Sequence, residues 1–340
     1  MPAPAGEPAT ARRPADWPAV RLHVVSGKGG TGKTTVAAAL ALALARGGKR
    51  VLLAEVEGRQ GIAQLFDVPP LPYEERKIAI AEDGGEVYAL AVEPKAALLE
   101  YLELFYKMGR AGRVLEKLGA VDFATTIAPG LRDVLLTGKI YEAAGRRTRG
   151  RPAYDAIVLD APPTGRITRF LNVNEEVVGL AKVGPVRNQA NSIMTLLRSP
   201  RTAVHLVTVL EEMPVQETQD GAAELQKVDL PLGGVVVNMV REPVLSAAAL
   251  GQAVAGDLDR VQVLAGLEAA GLAGPRATQL VDGLLVEGAQ HGLRVELETA
   301  QRAELVATGR PLYELPALPG GIDLGSLYDL AERLGEQGMA

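Results

Sequence analysis

The eight residues 27–34 read GKGGTGKT and constrain the fold of this chain more than any other segment. They fit the pattern GxxxxGK[ST], in which a glycine-rich loop wraps a phosphate group and leads into a helix. A short apolar run, 22–25, precedes the loop and predicts a buried strand, and the apolar stretch 35–45 that follows it predicts a helix. Because strand, loop and helix occur in the order that a phosphate-binding loop requires, the sequence predicts a nucleoside triphosphate site.

Each position in this loop has a physical reason to bind phosphate. Glycines place no Cβ between the backbone and the phosphate oxygens, and the helix N-terminus supplies free N–H groups and the positive end of its dipole. Lys33 is expected to pair with the β- and γ-phosphates, and the hydroxyl of Thr34 to ligate Mg²⁺. The predicted ATP-binding set is Gly27, Gly29, Gly30, Thr31, Gly32, Lys33, Thr34 and Thr35.

A second lysine, Lys28, follows the first glycine of the loop, where an ordinary phosphate loop does not require one. A cation there is costly beside Lys33 unless anionic phosphate compensates it. The form KGGTGKT resembles the deviant phosphate loop of dimeric ATPases that include MinD, the nitrogenase iron protein and the arsenite-pump ATPases. In those proteins the early lysine reaches the nucleotide of the facing subunit, so the resemblance implies that Lys28 is catalytic and that the chain dimerises.

Composition excludes several classes of function. With 36 Lys and Arg against 41 Asp and Glu the net charge is −5, and no basic cluster with interleaved aromatic residues is present, so no nucleic-acid partner is predicted. The 340 residues contain no cysteine, which excludes disulfides, thiolate metal sites and a cysteine nucleophile. His23, His205 and His291 are far apart in sequence, and the first two fall in predicted strands, so core or surface roles are expected for them.

Nothing in the sequence predicts a membrane span. The longest apolar run, 36–45, is shorter than the ~20 residues that a span needs. Residues 1–18 are rich in proline and lack the apolar segment of a signal peptide, so they predict a disordered tail. A cytoplasmic protein is expected.

Strand-like runs alternate with helical stretches along the rest of the chain, which is typical of an α/β fold. We therefore predict a doubly wound, mostly parallel sheet with helices on both faces. One ATPase domain is expected over 19–335, with helical subdomain insertions near 94–149, 181–199 and 245–309. The predicted strands are 22–25, 51–56, 87–92, 156–159, 204–209, 234–238 and 312–315.

Two further loops are expected to reach the phosphates. An apolar strand ends at Asp160, the Walker B position, where a carboxylate holds the Mg²⁺ shell near Thr34. The loop that follows contains Gly165, whose N–H could contact the γ-phosphate and so distinguish ATP from ADP. After the second strand, the polar candidates for orienting the attacking water are Glu55, Glu57, Arg59 and Gln60.

Together these segments resemble the arsenite-pump (ArsA-like) ATPase family, which includes the guided-entry ATPase for tail-anchored membrane proteins. The family's second switch reads DTAPTGHTLRxL, against DAPPTGRITRFL at 160–171 here; its first switch reads roughly LLISTDPAHNLSDAF, against LLAEVEGRQGIAQLF at 52–66. The similarity covers roughly residues 20–335. It is strongest to one member of the paired ArsA-like ATPases of some bacteria, which implies a P-loop NTPase fold, an ATPase activity and Mg²⁺ as cofactor.

This resemblance also assigns residues. The family's catalytic aspartate falls on Glu57, one methylene longer, and its switch histidine falls on Arg166. Glu57 works in place of the aspartate, or Arg59 and Gln60 have replaced it, or the subunit hydrolyses ATP poorly; the sequence leaves these three open. The resemblance implies that Asn238 and the loop Pro316, Ala317 and Leu318 bind the adenine base. The alternative role of Asn238 is that of a turn residue at the end of a strand.

Partners follow from the same resemblance. Without cysteine the zinc clamp of the guided-entry dimer cannot form, so no zinc is expected. The departure at Glu57 favours a heterodimer with an ArsA-like paralogue over a homodimer. The apolar helical stretches 96–108 and 186–197 are expected mainly to pack in the core, with a groove for a hydrophobic segment as the alternative.

Three functions therefore remain open at the level of sequence. The first is a nucleotide-switched carrier or chaperone for a hydrophobic or membrane-protein client. The second is the energising ATPase subunit of an anion efflux pump, weakened in its arsenite form by the absence of cysteine. The third is an ATP-binding regulatory subunit with weak hydrolysis, paired with an active paralogue.

Overall fold

The computed structural model of the chain describes residues 15–106, 129–180 and 185–340. Its strands are β1 Leu22–Gly27, β2 Arg50–Glu55, β3 Arg76–Ile80, β4 Glu86–Ala91, β5 Arg147–Thr148, β6 Arg151–Pro152, β7 Ala156–Asp160, β8 Thr202–Thr208, β9 Leu232–Val240 and β10 Leu312–Pro316. Its α-helices are α1 Lys33–Ala45, α2 Gly61–Leu65, α3 Pro94–Tyr106, α4 Pro129–Gly145, α5 Thr164–Leu180, α6 Pro185–Leu197, α7 Glu212–Lys227, α8 Ala247–Ala255, α9 Arg260–Ala269, α10 Pro275–Val306 and α11 Leu324–Glu336.

Eight strands form one sheet in the order β10-β9-β8-β1-β7-β2-β4-β3. Neighbouring strands run parallel except β3, which pairs antiparallel with β4 at the sheet edge. The predicted α/β fold with a mostly parallel sheet is confirmed, and so are its seven predicted strands. The sequence missed β3, because its Arg-Lys start and largely exposed residues lack the apolar run of a central strand.

Helices cover both faces of the sheet, which is the expected doubly wound arrangement. On one face α1 packs between the sheet and α11, and nine of the thirteen residues of α1 are buried. The opposite face is covered by side chains of α4, α5, α6 and α7. Since α1 is enclosed on nearly all sides, its apolar sequence needs no polar stripe.

Strand order places the important loops together. The chain leaves β1 and, after α1, adds β2 on one side, while β8 lies on the other side of β1. In open parallel sheets, ligands bind at the carboxyl ends of the strands where the order reverses. The loops after β1, β2 and β7 all leave from that edge.

The tail predicted over 1–18 falls only partly within the described residues. Residues 1–14 lie outside the described residues, but Asp16 and Trp17 already contact the folded chain. The backbone N–H of Asp16 donates to the carbonyl of Gly338 at 2.7 Å, and Trp17 Nε1 donates to the hydroxyl of Tyr313 at 2.9 Å. The side chain of Trp17 therefore attaches the start of the described chain to β10. Composition alone did not predict this contact.

Both strand histidines are fully buried and contact each other, as expected for core residues. The Nδ1 atom of His205 accepts a hydrogen bond from the backbone N–H of Gly234, so its Nε2–H donates to Nδ1 of His23 at 3.1 Å. Burial lowers the pKa of His23 to about 3 and that of His205 well below its usual value. Both rings are therefore neutral at physiological pH and serve packing.

The helical blocks are described in part. Ala97 and Leu98 of α3 are buried, as are Ala190, Ile193 and Leu197 of α6, which agrees with the expectation that these faces pack in the core. The remainder of the first block, 107–128, lies outside the described residues, and the division of the chain into subdomains stays a prediction. Within the described residues, no helix is both long enough and apolar enough to cross a membrane.

Candidate functional site

The loop between β1 and α1 has its backbone folded around one carbonyl group. Gly32, just before α1, has a left-handed φ of 84°. The carbonyl oxygen of Lys28 accepts hydrogen bonds from Thr31 Oγ1 at 2.9 Å and from Lys33 Nζ at 3.2 Å. These hydrogen bonds to the carbonyl of Lys28 hold the loop in a curved shape. Lys33 lies where the loop ends and α1 begins.

Two glycines are required by close approach on the inner side of the loop. A Cβ on Gly32 would overlap the side-chain amide of Asn238, and one on Gly27 would overlap the carbonyl of Val207. On the outer side, a Cβ at Gly29 or Gly30 would have no neighbour within 4 Å. The loop is thus packed tightly against β8 and β9 and open on the side where phosphate would bind.

Lys33 is the half-buried cation of this loop. Burial lowers the pKa of Lys33, and the nearby carboxylates of Asp160 and Glu57 offset this effect only in part. A half-buried ammonium group with one carbonyl partner keeps hydrogen-bonding capacity for an anion. The arrangement fits a triphosphate.

Thr34 and Asp160, predicted to hold Mg²⁺, are brought together although 126 residues separate them. The hydroxyl of Thr34 donates to Oδ2 of Asp160 at 2.7 Å. Burial raises the pKa of Asp160 to about 6, partly offset by this hydrogen bond and by Lys33, while Glu55 raises it further. A buried carboxylate destabilised by its surroundings is a good ligand for a cation, because the cation removes that electrostatic cost.

A second carboxylate, that of Glu55, acts on Asp160 and strengthens the fit to Mg²⁺. The residue Glu55 is 2% exposed, and its Oε1 atom has no hydrogen-bond partner among the described residues. The described residues contain no group of three or more His, Cys, Asp or Glu arranged to hold a metal alone. Mg²⁺ does not need one, since it is usually bound by one or two carboxylates together with water and substrate phosphate.

The loop after β7 is tied to β1. Ser26 Oγ donates to the carbonyl of Pro162 at 2.6 Å, and the N–H of Ala161 donates to the carbonyl of Val25 at 3.0 Å. Gly165 lies exposed in the first turn of α5, next to the buried Thr164. Its predicted contact with the γ-phosphate stays a prediction, and its position at a helix N-terminus suits an anion.

Glu57 lies among arginines. Its carboxylate is 3.5 Å from Arg59 and 3.7 Å from Arg166, and its side chain is 18% exposed. Both distances are long for ion pairs, so the carboxylate is held loosely at the rim of the site. Whether Glu57 orients the attacking water is not decided by this position and stays a prediction.

Lys28 makes an ion pair that the sequence did not indicate. Its Nζ atom lies 2.7 Å from Oε1 of Glu217 on α7, and Oε2 of Glu217 accepts from Thr164 Oγ1 at 3.5 Å. Glu217 therefore links the phosphate loop to the first residue of α5. The sequence did not indicate this ion pair, because 189 residues separate Lys28 and Glu217 and only folding brings them together.

The predicted adenine residues lie at the ends of β9 and β10. Asn238 is buried, and its Nδ2 donates to the carbonyl of Thr31 at 2.9 Å. The N–H of Ala317 donates to the carbonyl of Val240 at 2.8 Å, which places the loop Pro316 to Leu318 beside the strand that carries Asn238. Asn238 thus braces the phosphate loop, and an adenine contact by it, still a prediction, would use its amide oxygen.

Comparison with known proteins agrees with this geometry. The family model for anion-transporting ATPases matches residues 20–200, which include the phosphate loop and the loops after β2 and β7. ATPase BagA of Mycobacterium tuberculosis is 56% identical over 328 residues, covering 95% of this chain and 96% of that protein.

More distant relatives are also similar. A Chlorobaculum tepidum protein that bears the name of an arsenical pump-driving ATPase is 26% identical over 266 residues, covering 64% of this chain and 61% of that protein. ATPase GET3 of Kluyveromyces lactis is 24% identical over 255 residues, covering 65% and 72% of the two chains. The predicted resemblance to the ArsA-like and guided-entry family is confirmed.

Proposed function

The chain belongs to the anion-transporting ATPase family, and on that basis we propose that it binds ATP with Mg²⁺ and hydrolyses it to ADP and phosphate. The observation that carries the proposal is the pairing of Thr34 with the buried Asp160 at 2.7 Å beside the half-buried Lys33. A cation and a hydroxyl from the phosphate loop, together with a carboxylate from the end of β7, are groups that phosphoryl transfer uses.

In this proposal each residue has a separate task. Lys33 and the N–H groups of the loop bind the β- and γ-phosphates, and Asn238 keeps the loop in its binding shape through Thr31. Thr34 and Asp160 hold Mg²⁺, which when bound neutralises charge on the phosphate oxygens. Glu57 stays the candidate for orienting the attacking water.

The loop after β7 supplies a nucleotide-dependent switch. Thr164 and Gly165 begin α5, and α5 packs against α4, α6 and α7. A γ-phosphate that contacts Gly165 would draw the start of α5 toward the nucleotide, and its loss on hydrolysis would release it. The helical part of the chain would then respond to the nucleotide state.

Lys28 is proposed to act on the nucleotide of a facing subunit. In the single chain its ammonium group is paired with Glu217, with side chains 30% and 36% exposed. Ion pairs at this exposure are worth little, about 1 kcal/mol or less, so a triphosphate can compete for the lysine. The cross-subunit role therefore requires no change in the fold.

Replacing Lys28 with alanine is expected to leave ATP affinity within a few-fold of wild type and to lower kcat at least about tenfold, because its target is the partner's transition state. Hydrolysis is to be measured on the assembled protein, with nucleotide affinity by titration calorimetry. Lys227→Ala, at the far end of α7, is the matched control. An unchanged kcat in the Lys28 variant would refute the cross-subunit role.

We further propose a heterodimer with an ArsA-like paralogue that keeps the usual aspartate where this chain has Glu57. The long distances from Glu57 to Arg59 and Arg166 support this choice of partner, because a carboxylate that orients the attacking water must be placed accurately. Native mass spectrometry of the chain alone and mixed with the paralogue, each with ATP and Mg²⁺, is expected to show the heterodimer as the main species. A monomer under all conditions would contradict dimerisation, and a homodimer that ignores the paralogue would contradict only the choice of partner.

We propose that the cycle of ATP binding and hydrolysis serves to carry a hydrophobic segment of a client protein. A cavity of 220 Å³ lies between α3 and α4, and apolar groups dominate its lining. Across it, Lys139 pairs with Glu100 at 2.8 Å. Because α4 also contacts α5, the cavity is joined to the proposed switch. Binding of a fluorescent apolar helical peptide should differ between ATP and ADP; equal affinity in both states would exclude a nucleotide-switched carrier.

A further inference from the structure

The strand β2 ends in a carboxylate that lies beside Asp160. Glu55 and Asp160 are register partners at the carboxyl ends of adjacent parallel strands, which are spaced about 4.8 Å apart. Val51 and Leu53 of β2 belong to the core that contains α1. Since side chains alternate along a strand, Glu55 lies on this same face of the sheet, as Asp160 does on β7.

This face leads directly to the start of α1, where the phosphate loop ends. Gly61, six residues after Glu55, packs so closely that a Cβ on it would lie 3.1 Å from Cγ2 of Thr34. The N–H of Ile62, the next residue, donates to Oε2 of Glu55 at 3.4 Å. Glu55 is therefore in the immediate surroundings of the Thr34–Asp160 pair.

The charge of Glu55 is not balanced within the described residues. The residue is 2% exposed, one oxygen has a single long hydrogen bond, and the other has none. The ammonium group of Lys33 is hydrogen-bonded to the carbonyl of Lys28, and the guanidinium groups of Arg59 and Arg166 lie near Glu57. A buried, unpaired carboxylate is strongly unfavourable unless a cation is supplied.

We propose that Glu55 is a second carboxylate of the Mg²⁺ site, holding the ion or its bound water together with Thr34 and Asp160. This inference rests on the proposed function, because it concerns the metal of the same nucleotide site. It gives the two glutamates at and just after the end of β2 separate tasks: the buried Glu55 positions the metal, and the rim residue Glu57 is free for the water. Glu55 is thus a positioning residue whose effect reaches the substrate through the ion.

The test is the affinity of the full chain for a divalent ion with ADP bound, using Mn²⁺ as the spectroscopic probe. Electron paramagnetic resonance of free Mn²⁺ is expected to show at least about a tenfold weaker affinity in Glu55→Gln than in wild type. ADP affinity measured in EDTA is expected to be unchanged. Glu86→Gln, at the opposite end of the neighbouring strand β4, is the matched control and should bind Mn²⁺ like wild type.

Metal-free stability gives an independent readout. Glu55→Gln removes a buried charge, so its melting temperature without metal or nucleotide is expected to exceed that of wild type by a few degrees. This difference should shrink when Mg²⁺ and ADP are added, because the metal stabilises only the carboxylate. A purely structural role for Glu55 would instead lower the melting temperature in both conditions, which would overturn the proposal.

Each outcome separates the two proposals. Equal Mn²⁺ affinity in Glu55→Gln and wild type would overturn the role of Glu55 and leave the ATPase proposal standing. Wild type that binds neither ADP nor Mn²⁺ would overturn both. If Glu55→Gln fails to fold, Glu55→Asp keeps the charge and shortens the side chain; it is expected to weaken Mn²⁺ binding, and wild-type affinity in that variant would be the contrary result.

Discussion

Lys33→Ala is expected to abolish ATP binding, with a loss of affinity of at least about 100-fold, because two charge-assisted phosphate contacts disappear. The fold should be unaffected. Burial lowers the pKa of Lys33, because the charged form is partly desolvated in the nucleotide-free protein. Removing this ammonium group is therefore expected to change the stability of the nucleotide-free protein little. Titration calorimetry with ATP and Mg²⁺ measures the affinity, and thermal melting confirms folding.

Lys49→Ala is the matched control for this variant. Lys49 lies in the exposed turn after the same helix, so its removal changes the net charge equally without touching the phosphate loop. ATP affinity within a few-fold of wild type is expected in the control. Wild-type affinity in Lys33→Ala itself would mean that the nucleotide binds elsewhere and that the proposed site is wrong.

Asp160→Asn is expected to lower kcat by about 100-fold or more, because a charged group that stabilises the transition state through the metal site is lost. Without nucleotide and metal, the same variant should be more stable than wild type. A rise in pKa from 3.8 to about 6 corresponds to about 3 kcal/mol of destabilisation of the charged carboxylate at neutral pH. Activity and stability thus change in opposite directions.

The pH dependence of that stability difference follows from the direction of the pKa. The folded state holds the Asp160 proton more tightly than the unfolded state, so the stabilisation it gives is complete below about pH 4 and is lost as the pH rises through about 6. The excess stability of Asp160→Asn should therefore be largest near pH 8 and shrink toward pH 5. Thermal melts of both proteins without ligand measure it, and a variant less stable at pH 8 would contradict the assignment.

Asp155→Asn provides the control at the opposite end of β7. Its carboxylate is exposed and accepts a hydrogen bond from the backbone N–H of Arg50 at 2.9 Å, which an asparagine oxygen can also accept. Wild-type hydrolysis and a stability close to that of wild type are expected. The two substitutions make the same chemical change, one just before β7 and one at its end, and differ in the surroundings of the carboxylate.

The sequence by itself determined the local parts of this protein. The phosphate loop occupies consecutive residues between one apolar strand and one apolar helix, so its glycines, Lys33 and Thr34 could be identified without any long-range contact. Asp160 was recognisable in the same way, as a carboxylate at the end of a buried run. Seven strands and the doubly wound class followed from periodicity. The edge strand β3 did not, because its residues are mainly exposed and its pairing with β4 defines it.

Apart from the predicted meeting of Thr34 and Asp160, the tertiary structure alone decided which distant residues contact each other. Lys28 and Glu217, Asn238 and Thr31, and His23 and His205 are each more than 180 residues apart, so their contacts depend on the order and register of the strands. The burial of Glu55 is a further example. In the sequence it is one of several polar residues around the end of β2, and only the adjacent ends of β2 and β7 place its carboxylate beside Asp160, away from water. Periodicity reports which face of an element is buried, whereas neighbours across a sheet are set by long-range pairing that no local pattern contains.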